Sequence, residues 1–313
     1  MESALEINGA FKCHFCPFCN GGACTGELPG MGGVRDNENF RRNIIGWVRV
    51  RERNLEKIRD FLQKRAEERI PRIMLAPMTG AVENVGWKDE ESFYFHIVRA
   101  AKSAGIALSI GDGTPDEKLR FGIRAVERLS GDKAAVFIKP YPNEKIIERI
   151  GWAEKIAGAV GIDIDSYNIV TMRNLVNLEK KTAEKLLEIK KIASHLGIPF
   201  VIKGIFTKED LSLVEKVKPD VAYISNHGGR VETRTGSTAE FLEENAAFLK
   251  KNAGEVWVDG GIRTPFDIAT AMTIGAERVL IGRPLATALC AGGEKAMCQK
   301  ALELTFVQRG FSI

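Results

Sequence analysis

The sequence predicts a TIM (β/α)8 barrel preceded by a Cys- and Gly-rich N-terminal extension. Three observations predict it. From about residue 72 the chain alternates short apolar runs with longer amphipathic ones, eight times. Eight such units in roughly 240 residues match the size at which an α/β barrel closes as one domain. Ionisable residues gather where the apolar runs end, and barrel chemistry sits at the C-terminal ends of the strands. The 313 residues therefore divide into an extension with a flanking helix, 1–70, and a barrel, 71–313.

The strand segments are 72–76 (RIMLA), 106–110 (IALSI), 134–139 (AAVFIK), 160–165 (VGIDID), 199–203 (PFVIK), 221–225 (VAYIS), 255–259 (EVWVD) and 278–282 (RVLIG). Each is short and mostly apolar, as a strand buried on both faces should be. Helical patterns fill the gaps over 90–103, 115–129, 143–157, 179–196, 207–217, 238–252 and 265–274, and a last helix spans 294–308. Thr207 with Asp210, and Thr264 with Pro265 and Asp267, read as helix starts. Residues 38–68 are helical, highly charged, and flank or cap the barrel. A doubly wound open sheet is the alternative, but eight regular units favour closure.

Composition excludes several classes. Apolar residues are 44% and charged residues 27%, so the chain is not disordered. No apolar run reaches the ~18 residues of a membrane span. Glu2 and Glu6 precede the cysteines where a secretory signal would be basic and then apolar, so the expected location is cytoplasmic. Net charge is 45 − 41 = +4 with scattered basic residues, so no nucleic-acid partner is expected.

Four of the six cysteines, Cys13, Cys16, Cys19 and Cys24, form C-x2-C-x2-C-x4-C. Without a secretory signal a disulfide framework is not expected. The spacing suits a [4Fe-4S] cluster or zinc, although zinc ligands more often come as two separated pairs. Free thiols in a loop are the plain alternative. A glycine-dense stretch from Gly21 to Gly33 follows, which reads as a loop over a site or as a linker.

The strand ends carry Ser109, Lys139, Asp163, Asp165, Lys203, Ser225, Asn226, His227, Asp259, Gly282 and Arg283. Two turns stand out. Asp259, Gly260, Gly261, Ile262 and Arg263 follow the seventh strand; Gly282, Arg283 and Pro284 follow the eighth. These are the positions where barrels bind phosphate, with glycine N–H groups, a helix start and guanidinium donors. His227 reads as a general base, Asp165 as its orienting carboxylate, Arg230 as a carboxylate clamp, and Lys203 as a charge beside an anionic cofactor. His14, His96 and His195 read as structural.

The segments 199–230 (PFVIKGIFTKEDLSLVEKVKPDVAYISNHGGR) and 255–284 (EVWVDGGIRTPFDIATAMTIGAERVLIGRP) resemble the FMN-dependent α-hydroxy-acid oxidase and dehydrogenase family. The Cys-rich start resembles a variant among anaerobe members. The resemblance implies FMN at the barrel mouth and oxidation of a lactate- or glycolate-like 2-hydroxy acid by hydride transfer to flavin. It implies that Lys203 stabilises reduced flavin, that His227 takes the hydroxyl proton and pairs with Asp165, and that Arg230 holds the carboxylate. Ala76, Pro77, Met78, Ser109 and Ser225 would meet the flavin. Asp259, Gly260, Gly261, Arg263, Gly282 and Arg283 would hold its phosphate end. It further implies a tetramer or larger homo-oligomer, and an acceptor that is oxygen, a quinone or an electron-acceptor protein.

The chain departs from the family on the substrate side. Phe137 and Lys139 stand where Gln and Tyr are usual. The fourth strand ends Asp163-Ile164-Asp165 in place of Thr-x-Asp. No N-terminal Tyr matches, and Arg173 is the nearest candidate for a second substrate arginine, beside Lys139. The alternative activity is that of a type 2 isopentenyl-diphosphate isomerase, toward which 76–80 (APMTG) and 260–264 (GGIRT) lean and His227-Gly228-Gly229-Arg230 does not. A non-enzymatic flavin- or cluster-binding protein is the third class.

Overall fold

Eight parallel strands wind into a barrel in the computed structural model, which describes residues 38–64, 73–82, 87–129, 131–169, 172, 175–231 and 233–305. Cys13, Cys16, Cys19, Cys24 and Arg173 lie outside the described residues. Two helices lead in, α1 (Glu38–Arg53) and α2 (Leu55–Gln63). Then come β1 (Ile73–Leu75), α3 (Glu90–Ser103), β2 (Leu108–Gly111), α4 (Glu117–Glu127), β3 (Ala134–Ile138), α5 (Asn143–Ala153), β4 (Ala157–Asp163) and α6 (Ala183–His195). β5 (Phe200–Ile205), α7 (Lys208–Val217), β6 (Val221–Ile224), α8 (Thr238–Asn252), β7 (Glu255–Val258), α9 (Pro265–Ile274), β8 (Arg278–Ile281) and α10 (Arg283–Thr305) complete it. Neighbours in sequence pair in space, β8 pairs with β1, and a Met74–Ala107 bridge closes β1 onto β2.

The capping boxes expected at Thr207 and Thr264 are both formed, each with its Asp at the third helical position. Several boundaries differ from the sequence reading, and three have a visible cause. The fifth helix ends at Ala153 and not 157, because Ala157 already pairs with Ala134 in the sheet. The fourth strand ends at Asp163 and not Asp165, because Ile164–Asn168 coils into a 3-10 turn. The last helix begins at Arg283, and the expected 294–308 segment is its second limb after a break at Gly292 and Gly293.

Side chains alternate along each strand, so every second residue points into the barrel. Met74, Ala135, Phe137, Ala159, Val201, Tyr223, Trp257 and Leu280 form that inner cluster. Gly161 makes room for Phe137: a Cβ there would lie 2.6 Å from the phenyl ring. Toward the strand starts the inner residues are small. Ala107, Ala135 and Ala159 leave a cavity of about 650 Å³ at that end, away from the ionisable rim.

The leading helix does cap the barrel. Trp47 Nε1 donates to Gly260 O at 2.7 Å, Asn43 and Asn226 exchange amide bonds of 2.8 and 3.2 Å, and Thr238 N donates to Asn43 Oδ1 at 3.0 Å. α1 thus rests on the loops after β6 and β7, at the end where the ionisable residues gather.

Candidate functional site

Strand register builds the centre of the site. Asp163 pairs with Lys203 across β4 and β5, and Ile162 pairs with Ile138 across β3 and β4. Lys139, one residue past Ile138, therefore stands level with both. Counting by two from Phe137, Gly161 and Val201 turns Lys139, Asp163 and Lys203 inward as the topmost layer of the interior. Lys139 Nζ donates to Asp163 Oδ2 at 2.8 Å, and Lys203 Nζ lies 2.8 Å from Oδ1. All three are buried, at 7%, 4% and 2% exposure, in a medium that strengthens such pairing.

His227 completes the layer. The loop after β6 reverses through left-handed backbone at His227 (φ 54°), Gly228 (φ 65°) and Gly229 (φ 95°). A non-glycine residue at such a φ is uncommon and costs roughly 1–3 kcal/mol, so its surroundings must hold it. They do: His227 N donates to Ser225 Oγ at 3.1 Å, and Asn226 Oδ1 accepts from Gly229 N at 3.0 Å. His227 Nδ1 lies 2.7 Å from Asp165 Oδ2, which the 3-10 turn has swung under the ring. Gly204 is required there, since a Cβ would fall 2.3 Å from Asp165 Oδ1. His227 Nε2 faces Asp163 Oδ2 at 3.3 Å, Lys203 Nζ at 3.3 Å and Lys139 Nζ at 3.4 Å.

These contacts decide the charges. Burial alone would raise the Asp163 carboxyl, but Lys139 and Lys203, then His227, hold it well below the usual carboxylate range. Burial opposes the Lys203 ammonium, yet Asp163, Asp165 and Asp259 keep it above the ordinary lysine value. Burial raises Asp259 against the pull of Lys203, and Tyr223 Oη donates to its Oδ2 at 2.7 Å.

Beside this layer opens a cleft lined by Ala76, Pro77, Met78, Lys203, His227 and Gly228, with Arg230, the 259–263 turn and the 280–284 turn opposite. Its volume of about 110 Å³ is below the ~300–1,000 Å³ of ordinary small-molecule sites. One reason is visible: Arg283 Nη2 donates to Gly228 O at 2.7 Å, both from the cleft wall. A phosphate would offer Arg283 a stronger, charge-assisted partner than that carbonyl. The Phe40 ring of α1 backs two of the cleft's guanidinium groups, 4.2 Å from Arg283 Cζ and 5.5 Å from Arg263 Cζ.

The donor set matches a flavin mononucleotide. Arg263, Arg283 and the N-terminus of α10 supply the donors a phosphate needs, and Arg230 lines the same cleft. An apolar Ala76–Pro77–Met78 wall and the charged Lys203 serve the other. Among the expected contacts, Ser109 does not line the cleft. Ser109 Oγ donates to Leu75 O at 2.5 Å, in the seam between β1 and β2. Gly260 (φ 92°) and Gly261 (φ 78°) are needed for α1 as well as for any anion, because a Cβ on Gly261 would lie 2.5 Å from the Asn43 carbonyl carbon.

Five participants have no role in the sequence reading. Asp163 stood among the strand ends without a role. Asp112 and Arg149 form a buried pair at 3.0 Å, and Asp112 Oδ2 accepts from Lys139 N at 3.2 Å. Only the Gly-Asp-Gly after β2 hints at them. Asn43 and Phe40 sit in a charged helix whose periodicity says nothing of its contacts.

The family model for FMN-dependent dehydrogenase matches residues 148–305. Human 2-hydroxyacid oxidase 2 is 38% identical over 292 residues, 84% of this chain and 82% of that protein. Rice glycolate oxidase 1 (subspecies indica) is 29% identical over 223 residues, 68% of this chain and 55% of the relative. Rat 2-hydroxyacid oxidase 2 matches over a shorter stretch, at 36% identity, which spans only 30% of its own length. Among solved structures, a mandelate oxidase mutant with (S)-mandelic acid has a TM-score of 0.63, covering 90% of this chain and 88% of that one at 22% identity, a likeness of fold.

Proposed function

The chain belongs to the FMN-dependent dehydrogenase family, and from that premise we propose that it oxidises a small 2-hydroxy acid to the 2-oxo acid at the mouth of its barrel. The observation that carries the reading is the His227 Nδ1–Asp165 contact of 2.7 Å beside a cleft that Arg230 also lines. Asp165 fixes the tautomer, with the proton on Nδ1 and the Nε2 lone pair turned toward the lysine ammonium groups as an acceptor. His227 Nε2 then takes the substrate hydroxyl proton, and Asp165 stabilises the imidazolium. Arg230 holds the substrate carboxylate with paired N–H donors. Lys139 stands 3.4 Å from the same Nε2 and gives its ammonium to Asp163, outside the cleft lining. Bound FMN supplies the two-electron acceptor for the hydride that leaves the substrate carbon. Lys203 keeps a fixed positive charge where that acceptor gains negative charge.

Lys203, Ala76, Pro77 and Met78 would meet the ring system, and Arg263, Gly282 and Arg283 the phosphate. The isomerase alternative is set aside, because the relatives matched are hydroxyacid and glycolate oxidases. The acceptor that reoxidises the flavin is oxygen, a quinone or a protein; if Cys13, Cys16, Cys19 and Cys24 carry a cluster, electrons leave through it. No helix among the described residues is long and apolar enough to cross a membrane.

The test is anaerobic. Protein reconstituted with FMN should lose its yellow absorbance when lactate or glycolate is added. The His227→Ala variant should keep its colour and reduce at least ~100-fold more slowly. A wild-type protein that binds no FMN, or whose FMN no 2-hydroxy acid reduces, ends this reading.

A further inference from the structure

Two departures on the substrate side of the site prove to be a single contact. Lys139 and Asp163 are adjacent in register, oppositely charged, and joined at 2.8 Å. The other Asp163 oxygen, Oδ1, lies 2.8 Å from Lys203 Nζ as an ion pair. Counting charges in this buried layer gives Lys139 (+1), Asp163 (−1) and Lys203 (+1), a net +1. Of the three, only Lys203 lines the cleft. Two ammonium groups sharing one carboxylate cannot both be neutralised by it, so the layer retains a single positive charge next to His227 Nε2.

We propose that Asp163 is a positioning residue. It fixes both lysines level with the cleft and, together with Lys139, sets the electrostatic strength of Lys203 toward the redox group. The inference rests on the FMN reading above. Removing Lys139 would leave Asp163 to cancel Lys203, and the layer would fall to zero charge. Removing both partners of the pair would restore +1, carried by Lys203 alone. Asp163 has a second consequence for His227. Its Oδ2 is the acceptor nearest to Nε2, so an imidazolium formed there lies between two carboxylates, Asp165 at 2.7 Å and Asp163 at 3.3 Å. The low position of the Asp163 carboxyl agrees with this role, for it stays ionised wherever its neighbours are charged.

The experiment compares the midpoint potential of bound FMN in wild type, Lys139→Met, and Lys139→Met/Asp163→Asn, by anaerobic titration against a reference dye. Loss of one buried unit charge beside the redox group should move the equilibrium of Lys139→Met toward oxidised flavin by about tenfold or more. The double variant should return to near the wild-type position. Structural damage would carry the double variant further from wild type, so a single variant without a shift, or a double variant without recovery, overturns the proposal. If Lys139→Met alone does not bind FMN, recovery of binding in the double variant supports the proposal and continued loss overturns it. Failure of the functional reading is separately visible, since the potentials need no substrate and wild-type FMN binding is measured first.

Discussion

Asp112 shows how a single carboxyl can serve the site from one layer away. It follows β2, is fully buried, and accepts from Gly113 N at 2.8 Å, Lys139 N at 3.2 Å and Arg149 Nε at 3.0 Å. It therefore anchors the backbone of the residue that pairs with Asp163. Burial pushes its pKa up to about 6, outweighing Arg149 and the backbone donors. The sign follows from linkage. Between the unfolded value and about 6 the folded state holds a proton that the unfolded state has lost. The stability this group contributes is complete below the unfolded value and declines as pH rises through 6. The wild-type unfolding free energy minus that of Asp112→Asn should fall by about 2 kcal/mol between pH 4 and 7. Denaturant unfolding of both proteins across that range measures it, and a flat or rising difference would show that Arg149 dominates the ionised form. His227 illustrates the opposite case: its left-handed backbone is held by Ser225, Asn226 and Asp165, and the strain sits where the proton transfer is proposed.

At the scale of elements, α1 is the piece that turns two glycine loops into one site. Gly229 and Gly261 are tight against its backbone, with Cβ positions 2.6 Å from Phe40 N and 2.5 Å from the Asn43 carbonyl carbon. Asn43 joins the loop after β6 to the start of α8, and Trp47 holds the loop after β7. Replacing Asn43 with Ala removes its amide from Asn226 and Thr238 and should destabilise the fold by about 2–4 kcal/mol. FMN affinity should weaken in parallel, because the loops that carry Arg263 and His227 lose their common support. Ile45→Ala, on the exposed face of the same helix, should change neither. Thermal unfolding and flavin titration decide it; lost stability with unchanged FMN affinity would reduce α1 to a lid with no hold on the site. This element also marks the limit of what the sequence discloses. The periodic apolar runs gave eight strands in order, because burial on both faces demands them, and Thr207 and Thr264 gave helix starts, because capping is local. The His227–Asp165 pair followed from strand ends for the same reason. The Lys139–Asp163 bond did not, since register between β3 and β4 depends on the irregularity at Ala134 and Ala135, which has no local signature. Nor did the role of α1, whose contacts lie about 200 residues away in sequence, as Asn43 to Asn226.

Among the described strands β1 is the shortest, its two edges make a weak seam, and the cleft lies over its end. β1 has three residues, pairs with β8 through three Cα partners, and meets β2 at a single bridge reinforced by Ser109 Oγ. β3 and β4, by contrast, share five partners. Parallel pairing contributes less per residue than antiparallel, so a barrel closed by so short a strand opens there first. Ala76, Pro77 and Met78 extend from β1, and Gly282 and Arg283 from β8, and all five line the cleft. A cofactor held by both turns would bridge the seam from above. Ligand at a hundred times its dissociation constant adds about 2.7 kcal/mol to global stability. The distribution of that gain is the sharper prediction: amide hydrogen exchange at residues 73–76 and 279–281 should slow most when FMN is added, and exchange in β3 and β4 least. Protection spread evenly, or centred on β3 and β4, would mean that the barrel is already closed without its cofactor and that FMN enters a finished socket. Protection at the seam would make cofactor binding the last step of barrel closure, joining the guanidinium groups that follow β6, β7 and β8 to the wall that follows the shortest strand of the sheet.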